Sequence, residues 1–219
     1  MDRARQVYRR LLEHYGPQRW WPAETAFEAI VGALLMQQTS WRNVEVAIRN
    51  LRRAGLLEVH ALAEAPVPVI RRHVRIAGLY RTKPARVRAF CRHLLERTDG
   101  DLARYFDRPT DEVRADLLAQ DGVGPETADS ILLYAGGHPV FVVDAYTDRI
   151  GSRIGLFRPS EYHAIQRFFE RHIPRELGIY QEYHALLVRH AKTLCRRTNP
   201  LCVECPIQSV CDFGRRRKR

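Results

Sequence analysis

The sequence predicts an all-α fold. Apolar side chains recur three and four residues apart through most of the 219 residues, which is the period of an amphipathic helix. Gly and Pro residues separate these segments, as they do where one helix ends and another begins. Alternation with period two is confined to residues 140–143 and is too short to indicate a strand. An apolar content of 45% is enough to bury a core, in one domain or in two small ones.

The first hundred residues predict a series of helices bounded by Gly or Pro. Helical spacing marks them at 4–15, 27–35, 44–51, 59–63, 67–74 and 84–95. The second segment is apolar or small on nearly every side, which predicts a buried central helix. Cys91 lies on the apolar face of the last segment, so we expect it in the core.

Two further helices are predicted on either side of a Gly-Val-Gly turn. We expect Thr110 to cap the first of them and Pro125 to lie in the first turn of the second. Gly122 and Gly124 are both expected at positive φ, where glycine carries no steric cost. The N–H groups of the turn and of the second helix N-terminus would then face outward together and bind phosphate without sequence preference.

Three more helical patterns follow, at 145–154, 160–172 and 181–194. The first of them follows the apolar run 140–143 and a single carboxylate, Asp144. An Asp in that place is typical of a helix N-cap, and it can equally be a functional carboxylate. The residues alone leave the two interpretations open.

Charge points to a polyanionic partner. Lys and Arg outnumber Asp and Glu by 36 to 25, and the excess persists at 31 to 25 without the last five residues. An Arg-rich solvated surface would give the same balance. Only three of the basic residues are lysines, Lys83, Lys192 and Lys218, so a nucleophilic amine has few sources. No run of 18 apolar residues and no signal-like N-terminus are present, so we expect a cytoplasmic protein without membrane contact.

Four of the five cysteines crowd into one short segment. Their spacing is Cys195-x6-Cys202-x2-Cys205-x5-Cys211, and in a reducing cytosol such crowding favours a metal centre over disulfides. Structural zinc usually joins two tight pairs, whereas here one tight pair is flanked by a single cysteine on each side. The spacing favours an iron–sulfur cluster and leaves zinc open.

Together, the Gly122-Val123-Gly124 turn, the Val143-Asp144 pair about 20 residues later and the cysteine pattern resemble the endonuclease III superfamily of helix-hairpin-helix (HhH-GPD) DNA glycosylases. The resemblance spans nearly the whole chain, from the first helix to Cys211. It implies a six-helix domain at 25–136 that ends in the helix-hairpin-helix. It also implies a second domain, formed by 1–24 and 137–219, that holds a [4Fe–4S] cluster and carries the catalytic residue.

The resemblance further implies base-excision repair of double-stranded DNA that contains a damaged base. We expect a monomer associated with the nucleoid. Asp144 matches the family's catalytic carboxylate, which can stabilise oxocarbenium character on the deoxyribose and activate water. The resemblance implies four cluster ligands, Cys195, Cys202, Cys205 and Cys211. It also implies that the hairpin binds DNA through Gly122, Val123, Gly124 and Thr127.

Glu126 departs from the family pattern. Bifunctional members carry a lysine there, whose amine attacks the sugar and leads to strand cleavage through a Schiff base. A carboxylate cannot form an imine, so the sequence predicts a monofunctional glycosylase. Glu126 is also a first-turn acid of the kind that a helix dipole favours.

The base pocket resembles the 3-methyladenine glycosylase III branch of the superfamily. That branch sandwiches an alkylated purine between aromatic rings, and Trp20-Trp21-Pro22 and Trp41 look similar. The candidates for the pocket, or for filling the gap left by the flipped base, are Trp21, Gln37, Trp41, Glu126 and Lys192. The two tryptophans can also be core anchors, and Lys192 an ordinary surface lysine. We associate that branch with a degenerate cluster site, whereas all four cysteines are present here.

Three other functions remain open on sequence. They are a bifunctional glycosylase and AP lyase for oxidised pyrimidines, a glycosylase for mismatched uracil or thymine, and a non-catalytic iron–sulfur DNA-binding module. Spacing along the chain does not fix the shape of a pocket, so the sequence does not identify the lesion.

Overall fold

A computed structural model of the chain describes residues 2–18, 20, 23–158 and 161–217. Those residues form thirteen α-helices and three 3-10 helices and contain no strand, so the predicted all-α fold is confirmed. None of these helices is long and apolar enough to cross a membrane. The chain divides into two units, one of Met1–Trp21 with Pro139–Arg219 and one of Pro22–His138.

The helices are numbered in chain order. They are α1 (Arg3–Tyr15), α2 (Ala26–Leu35), α3 (Trp41–Arg53), α4 (Val59–Glu64), α5 (Val67–Val74), α6 (Lys83–Thr98), α7 (Leu102–Phe106), α8 (Thr110–Leu118), α9 (Pro125–Tyr134), α10 (Ala145–Ile154), α11 (Tyr162–His172), α12 (Leu177–Thr193) and α13 (Asp212–Arg216). The 3-10 helices are Arg75–Ala77, Cys202–Glu204 and Gln208–Val210.

The unit Pro22–His138 contains α2 to α9, of which α4 and α7 are short. Every residue from Phe27 to Leu35 is buried in α2, as the apolar pattern predicts, and this helix packs against α3, α6 and α9. Thr25 caps α2, because its hydroxyl accepts a hydrogen bond from the Glu28 N–H at 3.1 Å. Cys91 is buried on α6, also as predicted.

The start of α8 differs from the sequence prediction by one residue. Pro109 occupies the N-cap, and its carbonyl accepts from the Val113 N–H at 3.1 Å. Thr110 is therefore already inside the helix, and its hydroxyl lies 2.9 Å from Nδ1 of His138 instead of capping a backbone N–H. The prediction that Thr110 is the cap was wrong.

The other unit is built from α1 and α10 to α13. Its core is aromatic: the rings of Phe141 and Phe169 stack at 4.3 Å, and Tyr183 is fully buried. The Tyr183 hydroxyl donates to the carbonyl of Ala4 at 2.9 Å, which joins the N-terminal helix to α12 across 179 positions of sequence.

The apolar run 140–143 leads into the N-terminus of α10 and is buried without belonging to a sheet. Side chains of α11 satisfy its backbone instead. Gln166 donates to the Phe141 carbonyl at 2.9 Å, Glu170 accepts from the Phe141 N–H at 3.1 Å, and the Tyr162 hydroxyl accepts from the Val143 N–H at 3.3 Å. This packing fixes the backbone immediately before Asp144.

Candidate active site

The hairpin between α8 and α9 contains the turn that the sequence predicts, with one change. Gly122 has φ +76°, and a Cβ there would lie 2.5 Å from the guanidinium of Arg86. Gly124 has φ −92° and ψ 177° and serves as the N-cap of α9, so the expectation of positive φ at this glycine was wrong. An N-cap residue takes extended geometry, and at Gly124 no atom lies within 4 Å of an added Cβ.

Two arginines hold the hairpin in place. Arg86 reaches Asp121 at 3.2 Å from the side of α6. Arg114 of α8 makes a two-point contact with Asp129 of α9, at 2.6 and 3.1 Å, and the Asp129 side chain is fully buried. The second pair joins the two helices of the hairpin directly.

Gln37 contacts the hairpin. Its side-chain amide donates to the Gly122 carbonyl at 2.6 Å and lies 3.4 Å from the hydroxyl of Thr127. The structure therefore brings two predicted DNA-contacting segments together, the α2–α3 loop and the hairpin turn. Val123, in the middle of the turn, is buried.

The predicted pocket tryptophans have different surroundings. Trp21 lies outside the described residues. Trp41 is the first residue of α3, is partly exposed, and donates its indole N–H to Glu45 at 2.9 Å. It faces an open cavity whose other lining residues are Ala23, Glu28, Glu45, Ile48, Arg49 and Arg52.

Asp144 caps α10 with one of its two carboxylate oxygens. Oδ1 accepts from the N–H of Tyr146 at 2.9 Å, the N–H of Thr147 at 2.7 Å and the hydroxyl of Thr147 at 2.9 Å. Oδ2 lies 3.4 Å from Nε2 of His184, and the Asp144 side chain is 12% exposed. Burial alone would raise the pKa of this carboxyl, but the contacts from His184 and Thr147 outweigh it and hold the pKa below its ordinary value.

The sequence did not single out His184. It is buried on α12, and its ring lies 5.8 Å from the ring of Trp20, the tryptophan just before Trp21. Asp144, His184 and Trp20 thus form a contiguous group. A His on an apolar helix carries no local signal of this contact, because its partner lies 40 residues away.

Glu126 and Lys192 are both exposed. Glu126 lies in the first turn of α9, and Lys192 lies in the last turn of α12. The third predicted amine, Lys218, lies outside the described residues. Lys83 is the remaining lysine, and it is almost completely buried.

The four cysteines of the predicted metal centre line a single cavity. Apolar side chains form much of the rest of its wall, among them Ile150, Leu194, Leu201 and Ile207. Among the described residues, no three His, Cys, Asp or Glu side chains already converge as a ligand set. The cavity gathers the thiols without fixing a coordination geometry.

The chemistry around these sulfurs suits an iron–sulfur cluster. Arg153 lies 3.3 Å from Sγ of Cys195, and the Gly214 N–H donates to Sγ of Cys211 at 3.3 Å, contacts that stabilise thiolates. Burial raises the pKa of Cys205, and a metal that binds its thiolate would displace the proton. The donor set therefore fits the group that the spacing predicts.

The cysteine segment is tied to α10. Arg153 donates to the carbonyls of Arg196 at 2.7 Å and Arg197 at 3.0 Å, and Arg149 donates to the Cys195 carbonyl at 3.2 Å. The helix that Asp144 caps thus ends against the cysteine segment.

Comparison with known proteins identifies the class that this fold and these residues define. Residues 31–175 match the family described as HhH-GPD superfamily base excision DNA repair proteins. The chain belongs to this superfamily and is a DNA glycosylase of base-excision repair.

Particular relatives agree with that assignment. A protein of Methanocaldococcus jannaschii, provisionally named a DNA repair glycosylase, is 45% identical over 208 residues, which is 94% of each chain. Endonuclease III of Thermotoga maritima is 28% identical over 195 residues, which is 87% of this chain and 84% of the relative.

Solved structures show the same fold. The 3-methyladenine DNA glycosylase of H. pylori, bound to 1,N6-ethenoadenine, has a TM-score of 0.77 at 27% identity and covers 88% of this chain and 98% of its own. A trapped endonuclease III–DNA covalent intermediate has a TM-score of 0.84 at 21% identity over the full length of both chains.

Proposed function

We propose that this glycosylase is monofunctional and that Asp144 is its catalytic carboxylate. The role of Asp144 is supported by the different contacts that its two carboxylate oxygens make. Oδ1 takes three hydrogen bonds from the α10 N-terminus, which fixes the group, and Oδ2 is directed to His184. One oxygen holds the carboxylate in position, and we infer that the other acts on the sugar and the water.

The charge of Asp144 suits hydrolysis of an N-glycosidic bond. Its lowered pKa keeps the carboxylate ionised at neutral pH, where it stabilises the positive charge that develops on the sugar as the bond to the base breaks. The same carboxylate orients the attacking water and accepts its proton. The base departs, and an abasic site remains in the DNA.

We infer that the hairpin holds the DNA backbone. The first N–H groups of α9 have no acceptor within the helix, and the macrodipole favours an anion at this end. At Gly124 the space beside the backbone is open, which supports close approach of a phosphate. The net charge of +11 supports the same partner, double-stranded DNA.

An alkylated purine is the substrate that the aromatic residues support. Trp41 borders an open cavity and is partly exposed, and Trp20, beside His184, is partly exposed as well. A methylated purine is cationic, and stacking on an electron-rich ring gains about 0.5–2 kcal/mol that an undamaged base lacks. The relative bound to ethenoadenine supports this substrate class.

The lysines argue against lyase chemistry. Glu126 occupies the position of the lyase lysine and is exposed at the start of α9. The ammonium of Lys83 donates to a backbone carbonyl inside the protein, and Lys192 lies exposed on α12. We propose that none of these groups forms a Schiff base with the sugar.

We propose that Cys195, Cys202, Cys205 and Cys211 hold a [4Fe–4S] cluster. The cluster would close the loop from Cys195 to Cys211, whose carbonyls accept from Arg149 and Arg153. The reaction needs no electron transfer, so the role that these contacts support is structural.

A panel of duplexes, each with one lesion, tests the substrate. We expect excision of 3-methyladenine and no strand cleavage until alkali is added. The panel includes an oxidised pyrimidine, because the complete cysteine set also resembles endonuclease III. Excision of that base alone would contradict the alkylpurine assignment.

Borohydride trapping on abasic DNA tests the reaction type. The wild-type protein should give no covalent adduct, and Glu126→Lys provides the matched positive control. Efficient trapping of the wild-type protein would contradict monofunctional chemistry, and its loss in Lys192→Gln would identify the amine.

A further inference from the structure

Lys83 carries a buried ammonium that the excision reaction does not use. The residue is 1% exposed at the start of α6, and Nζ donates to the carbonyls of Leu35 at 2.7 Å, Gln37 at 2.6 Å and Ala77 at 2.6 Å. An ammonium has three N–H donors, and three carbonyls accept them here. The Leu35 carbonyl belongs to the last turn of α2, where carbonyls have no partner within the helix.

The other two carbonyls belong to segments with unusual backbone geometry. Gln37 precedes Gln38, which has φ +53°, and Ala77 precedes Gly78 and Leu79, at φ +73° and +43°. Residues other than glycine adopt such values at a cost and keep them only where neighbouring contacts enforce them. The ammonium supplies an enforcing contact to each segment.

These two segments lie next to each other. A Cβ added at Gly78 would lie 4.0 Å from the Gln38 carbonyl oxygen. Beyond Gly78 the chain exposes Leu79 and Tyr80, and the guanidinium of Arg75 lies 5.5 Å from the Tyr80 ring. The buried ammonium of Lys83 thus binds two neighbouring turns, one at Gln37 and one at Ala77.

The contacts continue to the hairpin. Lys83 holds the main chain of Gln37, and the side chain of Gln37 donates to the Gly122 carbonyl. One ammonium therefore connects α2, the 3-10 turn Arg75–Ala77 and, through Gln37, the turn proposed to hold phosphate.

We propose that Lys83 is a positioning residue for DNA binding, whose protonated amine presets the 36–40 and 76–80 segments against the Gly122 turn. The inference rests on the proposed DNA-binding role of the hairpin. Lys83 contacts no DNA and takes no part in the chemistry. It acts through backbone carbonyls, and only its charged form has enough donors for all three.

The charge state of this lysine is within reach of experiment. Burial lowers the pKa of Lys83 to about 8, and the groups that face the ammonium from α2, from the α2–α3 loop and from the 3-10 turn are all backbone carbonyls. Above that pH the amine loses a proton and retains two donors for three acceptors. One of the three carbonyls then loses its hydrogen bond from Lys83.

Global stability changes in the opposite direction. A lysine whose pKa falls on folding makes the unfolded state bind more protons than the folded state between about pH 8 and its ordinary pKa of 10.5. Linkage then makes this group's contribution to stability rise with pH. A loss of DNA affinity across that range cannot be attributed to unfolding through Lys83.

Fluorescence anisotropy with a labelled duplex that carries an uncleavable abasic-site analogue provides the test. For the wild-type protein we expect affinity to fall by about tenfold from about pH 7 to about pH 9 at constant salt, with an unchanged circular dichroism spectrum. Lys83→Met should bind about tenfold more weakly at pH 7 and show no further fall. The control Arg9→Met removes an exposed positive charge on α1 and should keep the wild-type dependence on pH.

A wild-type affinity that stays constant across this pH range overturns the proposal, as does wild-type binding by Lys83→Met. If Lys83→Met does not fold, Lys83→Arg decides, because a guanidinium stays charged throughout and should abolish the pH dependence. A wild-type slope in Lys83→Arg would assign the effect to another group. The probe is not cleaved, so failure to excise methylated bases would refute the proposed substrate and leave this result intact.

Discussion

Replacing Asp144 by Asn separates its two roles. The Asn carbonyl oxygen can accept the same hydrogen bonds from Tyr146 and Thr147, and Asn is as good an N-cap as Asp. The negative charge near His184 disappears. We expect the folded protein to keep the cap and to lose only the stability that the charge contributes. The excision rate should fall by about 10²–10³, which corresponds to roughly 2.7–4 kcal/mol of lost charge stabilisation.

Replacing Asp144 by Ala removes the cap as well. We expect the same loss of excision together with a lower free energy of unfolding, by about 0.5–2 kcal/mol. Asp148→Asn is the matched control, because Asp148 lies on the same helix and accepts a hydrogen bond from the Ser152 hydroxyl at 3.1 Å. It should excise at the wild-type rate.

Single-turnover excision with enzyme in excess measures the chemical step, and thermal unfolding measures the cap. Binding to an abasic-site analogue should be similar for all four proteins. An Asp144→Asn protein with more than about a tenth of the wild-type rate, or an Asp148→Asn protein equally impaired, would refute the assignment of Asp144.

The pH dependence of stability gives a second measure of the same carboxylate. Because folding lowers the pKa of Asp144, its charge stabilises the folded protein above the unfolded pKa of about 3.9, and that contribution disappears as the pH falls through the lower folded value. The stability difference between the wild-type protein and Asp144→Asn should therefore shrink as the pH falls below about 4.

Three further outcomes follow from the described contacts. Arg114→Met should lower the free energy of unfolding, measured by urea denaturation, by about 3–5 kcal/mol, because its partner Asp129 is fully buried. Arg86→Met should lower it by only about 0–1 kcal/mol, because its partner Asp121 is exposed. Cys202→Ala should lower the iron content and the visible absorbance of the purified protein; iron content equal to wild type would exclude this ligand. Trp41→Ala should reduce excision of alkylated bases while thermal unfolding stays close to wild type, and parallel loss of both would make Trp41 a core anchor.

Local sequence signals predicted the fold well. Helical periodicity and the positions of Gly and Pro found the principal helices, because both signals act within a few residues. The same applies to the cysteine segment, where close spacing alone brings four thiols to one cavity. Gly124 shows the limit of such signals. Glycine fits both a positive φ and an extended N-cap, so its presence in the sequence does not show which conformation the backbone adopts.

Contacts between distant parts of the chain gave no such signal. Lys83 meets Leu35 across 48 positions, and His184 meets Asp144 across 40. A buried ammonium satisfied by carbonyls leaves no pattern in side-chain chemistry, because every residue offers a carbonyl. The scarcity of lysine was the one available clue, since a chain that uses Arg almost everywhere has a reason to keep Lys where a compact three-donor group is needed.

That scarcity connects the surface to the reaction. All but three of the 36 basic residues are arginines, which bind phosphate with two parallel hydrogen bonds but do not act as amine nucleophiles. An Arg-rich surface can therefore attract DNA strongly without offering amines to the aldehyde form of an abasic site. Of the lysines that the structure describes, one is enclosed by carbonyls and the other is exposed on the last turn of α12. Together with Glu126 in the first turn of α9, such a surface agrees with the proposed hydrolysis by a carboxylate and water.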